Sequence, residues 1–299
     1  MALVRNLSAR ARFVLTGPDR VRFLHGMVTN DVEGLQPGMG CRSAMLTVKG
    51  KTLAELIIYA DEEQLFLELD PEQRTKIKDV LNKHMIMDEV ELADVTDELP
   101  ELGVYGDDAR AAVEAALSAP LGELAPYHHR RVGAVRVAAA PELGVPGYHL
   151  FSDVQVPGQP IGDEEWEVLR VEAGRPRYGV DVDEERLILE ANMDDAVSLP
   201  KGCYLGQEVV ARATARGHIN RKLMGLLLDG TLPAARGAKL SGPGRDEAGL
   251  VTSSVVSPRL GAIALAYVHR TLWGEGTELV VHDPAGPRKA RVTALPFKR

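Results

Sequence analysis

The feature that most limits the folds open to this chain is the order in which strand-like and helix-like apolar spacings follow one another over its first hundred residues. RFVLT reads as a strand, and Pro18 opens the helical stretch PDRVRFLHGMV, whose Val21, Leu24 and Val28 share one face. LAELIIYA and LFLELD are strand-like runs on either side of the turn signal Asp61-Glu62-Glu63. A helix starting at Asp70-Pro71 places Ile77, Val80, Leu81 and His84 together, and EVELADVT closes the series as a strand. Strand, helix, two strands, helix, strand is the order of a ferredoxin-like lobe, in which two helices cover one side of an antiparallel sheet.

The order recurs. ELGVYG precedes the helical DDARAAVEAALSA, capped by Asp107, and VGAVRVAAA and GYHLFSD form a hairpin across PELGVPG. DEEWEVLRVEA is then helical up to Gly174, with Pro176 beyond it. From Arg221 onward the texture changes to short strand-like runs separated by Gly and Pro (KLMGLLLD, GLVTSSVVS, GAIALAYV, TELVVHD, RKARVTAL), the spacing of a small barrel or sandwich. The expected fold is α+β: a first ferredoxin-like β-α-β-β-α-β lobe over residues 1–97, a second over 98–220, and a C-terminal β-barrel over 221–299.

Composition removes several classes of function. With 299 residues, 45% of them hydrophobic, the chain has material for a real core. Its two cysteines, Cys41 and Cys203, cannot build a disulfide framework or a multi-cysteine metal centre, a usage that suits a reducing cytoplasm. No stretch reaches the roughly 18 apolar residues of a membrane span, so a soluble protein is expected. A net charge of -8 opposes a nucleic-acid footprint, and the basic cluster His128-His129-Arg130-Arg131 is too small to reverse it; His128-His129 reads as a solvated loop. The histidines show no metal-ligand spacing, so no metal site is expected. VKGKT (48–52) resembles the end of a phosphate-binding loop, but Met45 stands where that loop needs glycine, and GPGRDEAG (242–249) reads as a turn.

Three segments carry polar residues that a purely structural chain has little use for: TNDV (29–32), WEVLRVEAGRPRYGVD (166–181) and VSLPKGCYLGQEVVAR (197–212). Trp166 and Glu172 stand about 240° apart on their helix, and Glu172 occupies the last turn, where an acid opposes the helix dipole and needs a partner. That partner is Arg170, Arg175 or Arg177, or the paired N–H donors of a 2-amino-4-oxo pyrimidine ring. Cys203 lies after a glycine, two residues from Lys201, just before a helix starting near Gly206. This setting fits a reactive thiol and equally a small buried apolar residue.

LRVEAGRPRYGVD and KGCYLGQEVVARATARGHINRKL, with FLHGMVTNDV upstream and GLVTSS…GAIALAYV downstream, closely resemble the YgfZ family of folate-binding iron–sulfur cluster assembly factors. That family lies in the superfamily of the glycine-cleavage T-protein, an aminomethyltransferase. The resemblance spans essentially the whole chain, and K-G-C-Y-x-G-Q-E is its specific part. It implies ferredoxin-like lobes around a folate pocket, followed by a small barrel. It also implies that Glu172, the acid of R-x-E-x-G, holds the pterin, with Trp166 stacking beside it. Tyr204 belongs to the same pocket, and Lys201, Arg175 and Arg212 are the cations for the anionic folate tail.

The resemblance also separates two branches. T-protein enzymes carry an Asp-Asp pair after a Gly-Gly turn, one aspartate acting on the folate nitrogen, whereas Gly50-Lys51-Thr52-Leu53-Ala54-Glu55 puts Ala54 and Glu55 there. A carboxylate displaced by ~1 Å can cost about a hundredfold in rate. The expectation is a cytoplasmic, monomeric tetrahydrofolate-binding accessory factor, more non-enzymatic than aminomethyltransferase, that assists assembly or repair of iron–sulfur clusters through Cys203. Its partners would be folate and iron–sulfur enzymes or their assembly proteins. A folate-dependent aminomethyltransferase or other one-carbon transferase is the alternative.

Overall fold

The computed structural model describes residues 1–216 and 219–298. Gly217 and His218 of the ARGHINRKL stretch, and Arg299 at the end of the expected barrel, lie outside the described residues. The chain forms two compact units, Met1–Ile161 with Asp195–Glu208, and Gly162–Asp194 with Val209–Arg299.

In chain order the first unit holds β1 (Leu3–Asn6), β2 (Ala11–Thr16), α1 (Arg20–Met27), β3 (Gly40–Leu46), β4 (Thr52–Ala60) and β5 (Leu65–Leu69). There follow α2 (Arg74–His84), entered through the 3-10 turn Pro71–Gln73, and β6 (Glu91–Asp94). Next come β7 (Glu101–Tyr105), α3 (Ala109–Leu117), β8 (His129–Val132), β9 (Val135–Ala139), β10 (Gly147–Phe151) and β11 (Gln159–Pro160).

The first sheet has the order β3-β4-β5-β2-β6, antiparallel throughout. Its β6-β2-β5-β4 portion is the ferredoxin-like arrangement expected from the spacing, and β3 is an additional edge strand that the pattern missed. Phe13, Leu15, Leu56 and Leu67 from the strands, Leu24 from α1, and Ile77 and Leu81 from α2 share one core, with Val21 and Val80 packed against it, whereas His84, expected on the same face of α2, is exposed.

The second sheet, β11-β1-β7-β10-β9-β8, takes its fourth ferredoxin-like strand from the N-terminus: β1 pairs antiparallel with β7, Val4 opposite Val104. Sequence-local spacing cannot foresee a strand borrowed across a hundred residues. Helix α3 starts at Ala109 with Asp108 at the cap position and no side-chain cap bond, not at an Asp107 cap. His129 is a further correction: far from lying in a solvated loop, it is buried in β8 with Nε2 at 3.0 Å from the Ala60 carbonyl oxygen.

The second unit contains α4 (Asp163–Glu172), the greater part of α5 (Gln207–Arg216), and the strands β12 (Arg221–Leu228), β13 (Lys239–Gly242), β14 (Arg245–Ser257), β15 (Gly261–His269), β16 (Glu278–Asp283) and β17 (Gly286–Thr293). The six strands close as β12-β15-β14-β13-β16-β17, the expected barrel. Helix α4 was expected to complete the second ferredoxin-like lobe, but it packs on β14 and β15, with Val171 in one apolar cluster with Leu223, Ile263, Leu265 and Tyr267. The helix ends where glycine demanded it. Gly174 has φ +69, and a Cβ there would lie 2.7 Å from Leu295.

Candidate functional site

In the first unit, the segment Asp195–Glu208 is laid across TNDV and the end of α1. Thr29 Oγ1 donates to the Ala196 carbonyl oxygen at 2.6 Å, and the Ser198 amide donates to the Thr29 carbonyl oxygen at 3.0 Å. Asn30 Nδ2 donates to the carbonyl oxygens of Arg42 and Asp195, at 2.7 and 3.2 Å. The Lys201 ammonium donates to three carbonyl oxygens, those of His25 (2.6 Å), Val28 (2.7 Å) and Asn30 (2.9 Å). It stands 4.9 Å from the centre of the buried Tyr204 ring. The Leu205 amide donates to the Gly26 carbonyl oxygen at 3.2 Å. Gly206 closes the segment with φ +84, and a Cβ there would lie 2.5 Å from the Thr47 carbonyl oxygen, so only glycine passes.

Cys203 stands exposed between these anchors, four residues ahead of α5. It is not the small buried residue that its type usually supplies. The other thiol, Cys41 on β3, is a contrast, since burial pushes it up to about 12. Burial lowers Lys201 to about 8, against the opposing pull of Asp31, Cys41 and Glu33. Its three hydrogens are all committed to carbonyls, where the sequence reading had it meet an anionic ligand tail.

The Ala54–Glu55 pair lies on β4. Glu55 is held by the buried Arg42, whose Nε donates to Oε1 at 2.8 Å, while Arg42 Nη1 donates to Asp195 Oδ1 at 2.6 Å. Arg42 Nη2 is buried with no hydrogen-bond partner among the described residues.

In the second unit, R-x-E-x-G divides into two roles. Arg170 is buried and donates through Nη1 to Asp181 Oδ2 at 2.7 Å and through Nη2 to Ser253 Oγ at 2.7 Å. It also pairs with Glu167. Asp181 accepts further hydrogen bonds from Thr252 Oγ1 (2.5 Å), Ser253 Oγ (2.7 Å) and the Arg177 amide (3.0 Å). Arg170 and Asp181 thus clamp α4 and its following loop to β14. Glu172 has a different set of partners from those expected: Arg259 Nη2 donates to Oε2 at 3.1 Å, and the Ser257 hydroxyl donates to Oε1. Arg259 supplies the positive charge that a carboxylate in the last turn of a helix needs. Trp166 and Arg175 are half-buried at α4 and just beyond it, and Arg212 is exposed on α5. The structure therefore brings Lys201, Cys203 and Tyr204 together in the first unit, and carries Trp166, Glu172, Arg175 and Arg212 in the second.

Sequence reading missed a fully buried charged cluster in the first unit. Glu68 on β5, Glu101 on β7 and His149 on β10 have ligand-type atoms within 4.8 Å of one another, the only such group of three among the described residues. Arginines already serve these carboxylates. Arg10 Nε lies 2.5 Å from Glu68 Oε1, and Arg12 Nη1 lies 2.9 Å from Glu101 Oε2. His149 Nδ1 is 3.3 Å from Glu68 Oε2 and 3.2 Å from Glu101 Oε1, and Nε2 is 2.8 Å from Glu142 Oε1. Burial disfavours the imidazolium, but the Tyr105 oxygen, Glu142 and Glu68 outweigh it and hold His149 well above the usual histidine value. Arg10 Nη1 also donates to Asp70 Oδ1 at 2.9 Å, so two guanidiniums and the His149 ring are shared among four carboxylates. A strand residue such as Glu68, flanked by Leu67 and Leu69, was the available signal: a charge inside a run where every neighbour is buried.

Residues 2–141 match the GCVT N-terminal domain, and residues 221–298 match the glycine cleavage T-protein C-terminal barrel domain. An aminomethyltransferase of Rubrobacter xylanophilus is 31% identical over 98% of this chain and 82% of its own length. The chain belongs to the glycine-cleavage T-protein family. Another member, an aminomethyltransferase of Rippkaea orientalis, is 27% identical over 98% of this chain and 85% of that protein. The fold of the T-protein family is reproduced in the crystal structure of glycine cleavage system aminomethyltransferase T from Bartonella henselae, with a TM-score of 0.89 at 22% identity over 99% of this chain and 86% of that one. The T-protein barrel match begins at Arg221, the first residue of β12.

Proposed function

We propose that this T-protein family member binds tetrahydrofolate and acts through Cys203 in assembly or repair of iron–sulfur clusters, in a reducing cytoplasm, rather than moving an aminomethyl group. The aminomethyltransferases of the family bind tetrahydrofolate. Glu172 fits such a ligand chemically: a carboxylate offers about four lone-pair positions, and Ser257 and Arg259 use one each, leaving acceptors for a pterin's paired N–H groups. Trp166 would supply the flat apolar face, and Arg175 and Arg212 the charge for the folate tail.

The observation that carries the reading is the pairing of Glu55 with Arg42, in the same unit as an exposed Cys203. A carboxylate that must exchange a proton with a folate nitrogen would give up a charge-assisted bond to a buried guanidinium each time it took one up. Among the described residues the exposed thiol has no such tie. A lone cysteine cannot retain a cluster, which is normally held by about four ligands, so its part would be transient.

Aminomethyl transfer is the second reading, and the relatives favour it: those cited from Rubrobacter and Rippkaea are named aminomethyltransferases and match 98% of the chain. The deciding experiment has two arms. Purified protein is given an aminomethyl donor and tetrahydrofolate, and methylene-tetrahydrofolate formation at enzymic rates would overturn the cluster reading. Cys203→Ala is introduced into cells lacking the protein, where loss of iron–sulfur enzyme activities supports it and normal activities sink it.

A further inference from the structure

We infer that Lys201 is the positioning residue of the Cys203 thiol, a side chain that fixes the cysteine by capping the C-terminal end of α1 and not by touching ligand. This inference takes the importance of Cys203 from the function proposed above, but the geometry behind it is independent of that reading.

The last carbonyls of an α-helix have no partner within the helix, and they carry the negative end of its dipole. In α1 the Leu24 carbonyl oxygen is satisfied by the Val28 amide, which leaves those of His25, Gly26 and Met27. Those of His25 and Gly26 are served from a segment more than 170 residues later in the chain. The His25 oxygen accepts from Lys201 Nζ at 2.6 Å, and the Gly26 oxygen accepts from the Leu205 amide at 3.2 Å. Lys201 also binds the Val28 and Asn30 oxygens, continuing along the chain as it leaves the helix.

Lys201 precedes Cys203 by two residues and Leu205 follows it by two. The thiol is therefore the midpoint of a short span pinned at both ends to the same helix terminus. Between the pins, Gly202 and Cys203 are exposed, whereas Lys201 and Tyr204 are buried. An ammonium is well suited to this place because it presents three donors and its charge faces the helix's negative end. An arginine could keep the charge, and a methionine would keep only the length.

The groups facing the ammonium are Asp31 and Glu33 from the loop after α1, Cys41 from β3 and the Tyr204 ring from the segment itself; Asp31 in turn has the His25 Nδ1 at 3.4 Å. Asp31, Glu33 and Cys41 favour the charged amine, and burial lowers it to about 8. The anchor therefore begins to lose its proton only slightly above neutral pH.

The test is hydrogen exchange of the full chain, read at the Leu205 amide, with the β14 and β15 amides as internal reference. In Lys201→Met, Leu205 should exchange at least about tenfold faster than in the wild type, because loss of the first pin, worth more than one ordinary hydrogen bond, frees the second. Lys201→Arg should recover most of the protection. In the wild type, protection corrected for intrinsic exchange should fall across about pH 8, and in Lys201→Arg it should stay flat, a difference that a merely space-filling lysine would not produce.

Unchanged Leu205 exchange in Lys201→Met overturns the inference. So does a tenfold loss of tetrahydrofolate affinity with Leu205 protection intact, which would make Lys201 a ligand contact. Should Lys201→Met fail to fold, the wild-type and Lys201→Arg pH profiles still decide. Cys203→Ala with normal iron–sulfur enzyme activities would remove the proposed function while leaving the exchange result standing, so the two failures are distinguishable.

Discussion

Replacing His149 with phenylalanine tests whether the buried cluster of the first unit is balanced by an imidazolium. The ring lies within 3.3 Å of Glu68, Glu101 and Glu142, all at buried or nearly buried positions. Phenylalanine fills similar volume but leaves Glu68, Glu101 and Glu142, with Asp70 already on Arg10, facing only the guanidiniums of Arg10 and Arg12. Removing one partner of a buried ion network costs about 3–5 kcal/mol, a large part of the ~5–15 kcal/mol that keeps a domain folded. With a urea dependence of about 1–3 kcal/mol per molar, the midpoint of the first unit should drop by at least about 1 M. Both tryptophans, Trp166 and Trp273, lie in the second unit, so far-UV circular dichroism is the appropriate probe and tryptophan emission is not.

The pH dependence gives the same test a sign. An unfolded histidine titrates near 6.5, and His149 in the folded chain titrates well above that value. Above pH 6.5 the folded state holds the extra proton, so its stabilising contribution is complete below about 6.5 and is lost as pH rises through the folded value. The wild type should therefore lose up to about 1.4 kcal/mol per pH unit in that window, and His149→Phe should lack this slope. A variant within 1 kcal/mol of the wild type on this scale, or one whose stability falls in parallel with it above pH 6.5, would refute the reasoning.

Three further outcomes follow from the geometry. Gly206→Ala forces a Cβ to 2.5 Å from the Thr47 oxygen at φ +84, and should destabilise the first unit by about 1–3 kcal/mol in chemical denaturation. Asp181→Asn leaves the buried Arg170 guanidinium with Glu167 as its remaining carboxylate partner, and should cost about 1.5–3 kcal/mol, followed by the emission of Trp166 and Trp273 during unfolding. Glu172→Gln keeps the shape but loses the charged acceptor, and should weaken tetrahydrofolate binding by about 10- to 100-fold in calorimetry, the equivalent of ~1.5–3 kcal/mol. An unchanged affinity would take Glu172 out of the ligand site.

What the sequence by itself determined is what neighbouring residues decide together. The strand and helix periods of the first lobe, the short runs of the barrel and the glycine that ends α4 are all local, because side-chain direction repeats every two or 3.6 residues and a left-handed turn needs glycine at its own position. The K-G-C-Y-x-G-Q-E motif likewise marked the segment that carries the exposed thiol. Only the tertiary structure decided the pairings. β1 fills the edge beside β7, Asp181 meets Arg170 and Ser253, and Arg259 reaches Glu172 from 87 positions away. Lys201 was read from its charge as a hand for an anion, yet it caps a helix end 176 residues earlier. A lysine's chemistry is the same beside a phosphate, a carboxylate or a row of carbonyls, and which of these it meets is a property of chain folding, with no mark on the residues next to it.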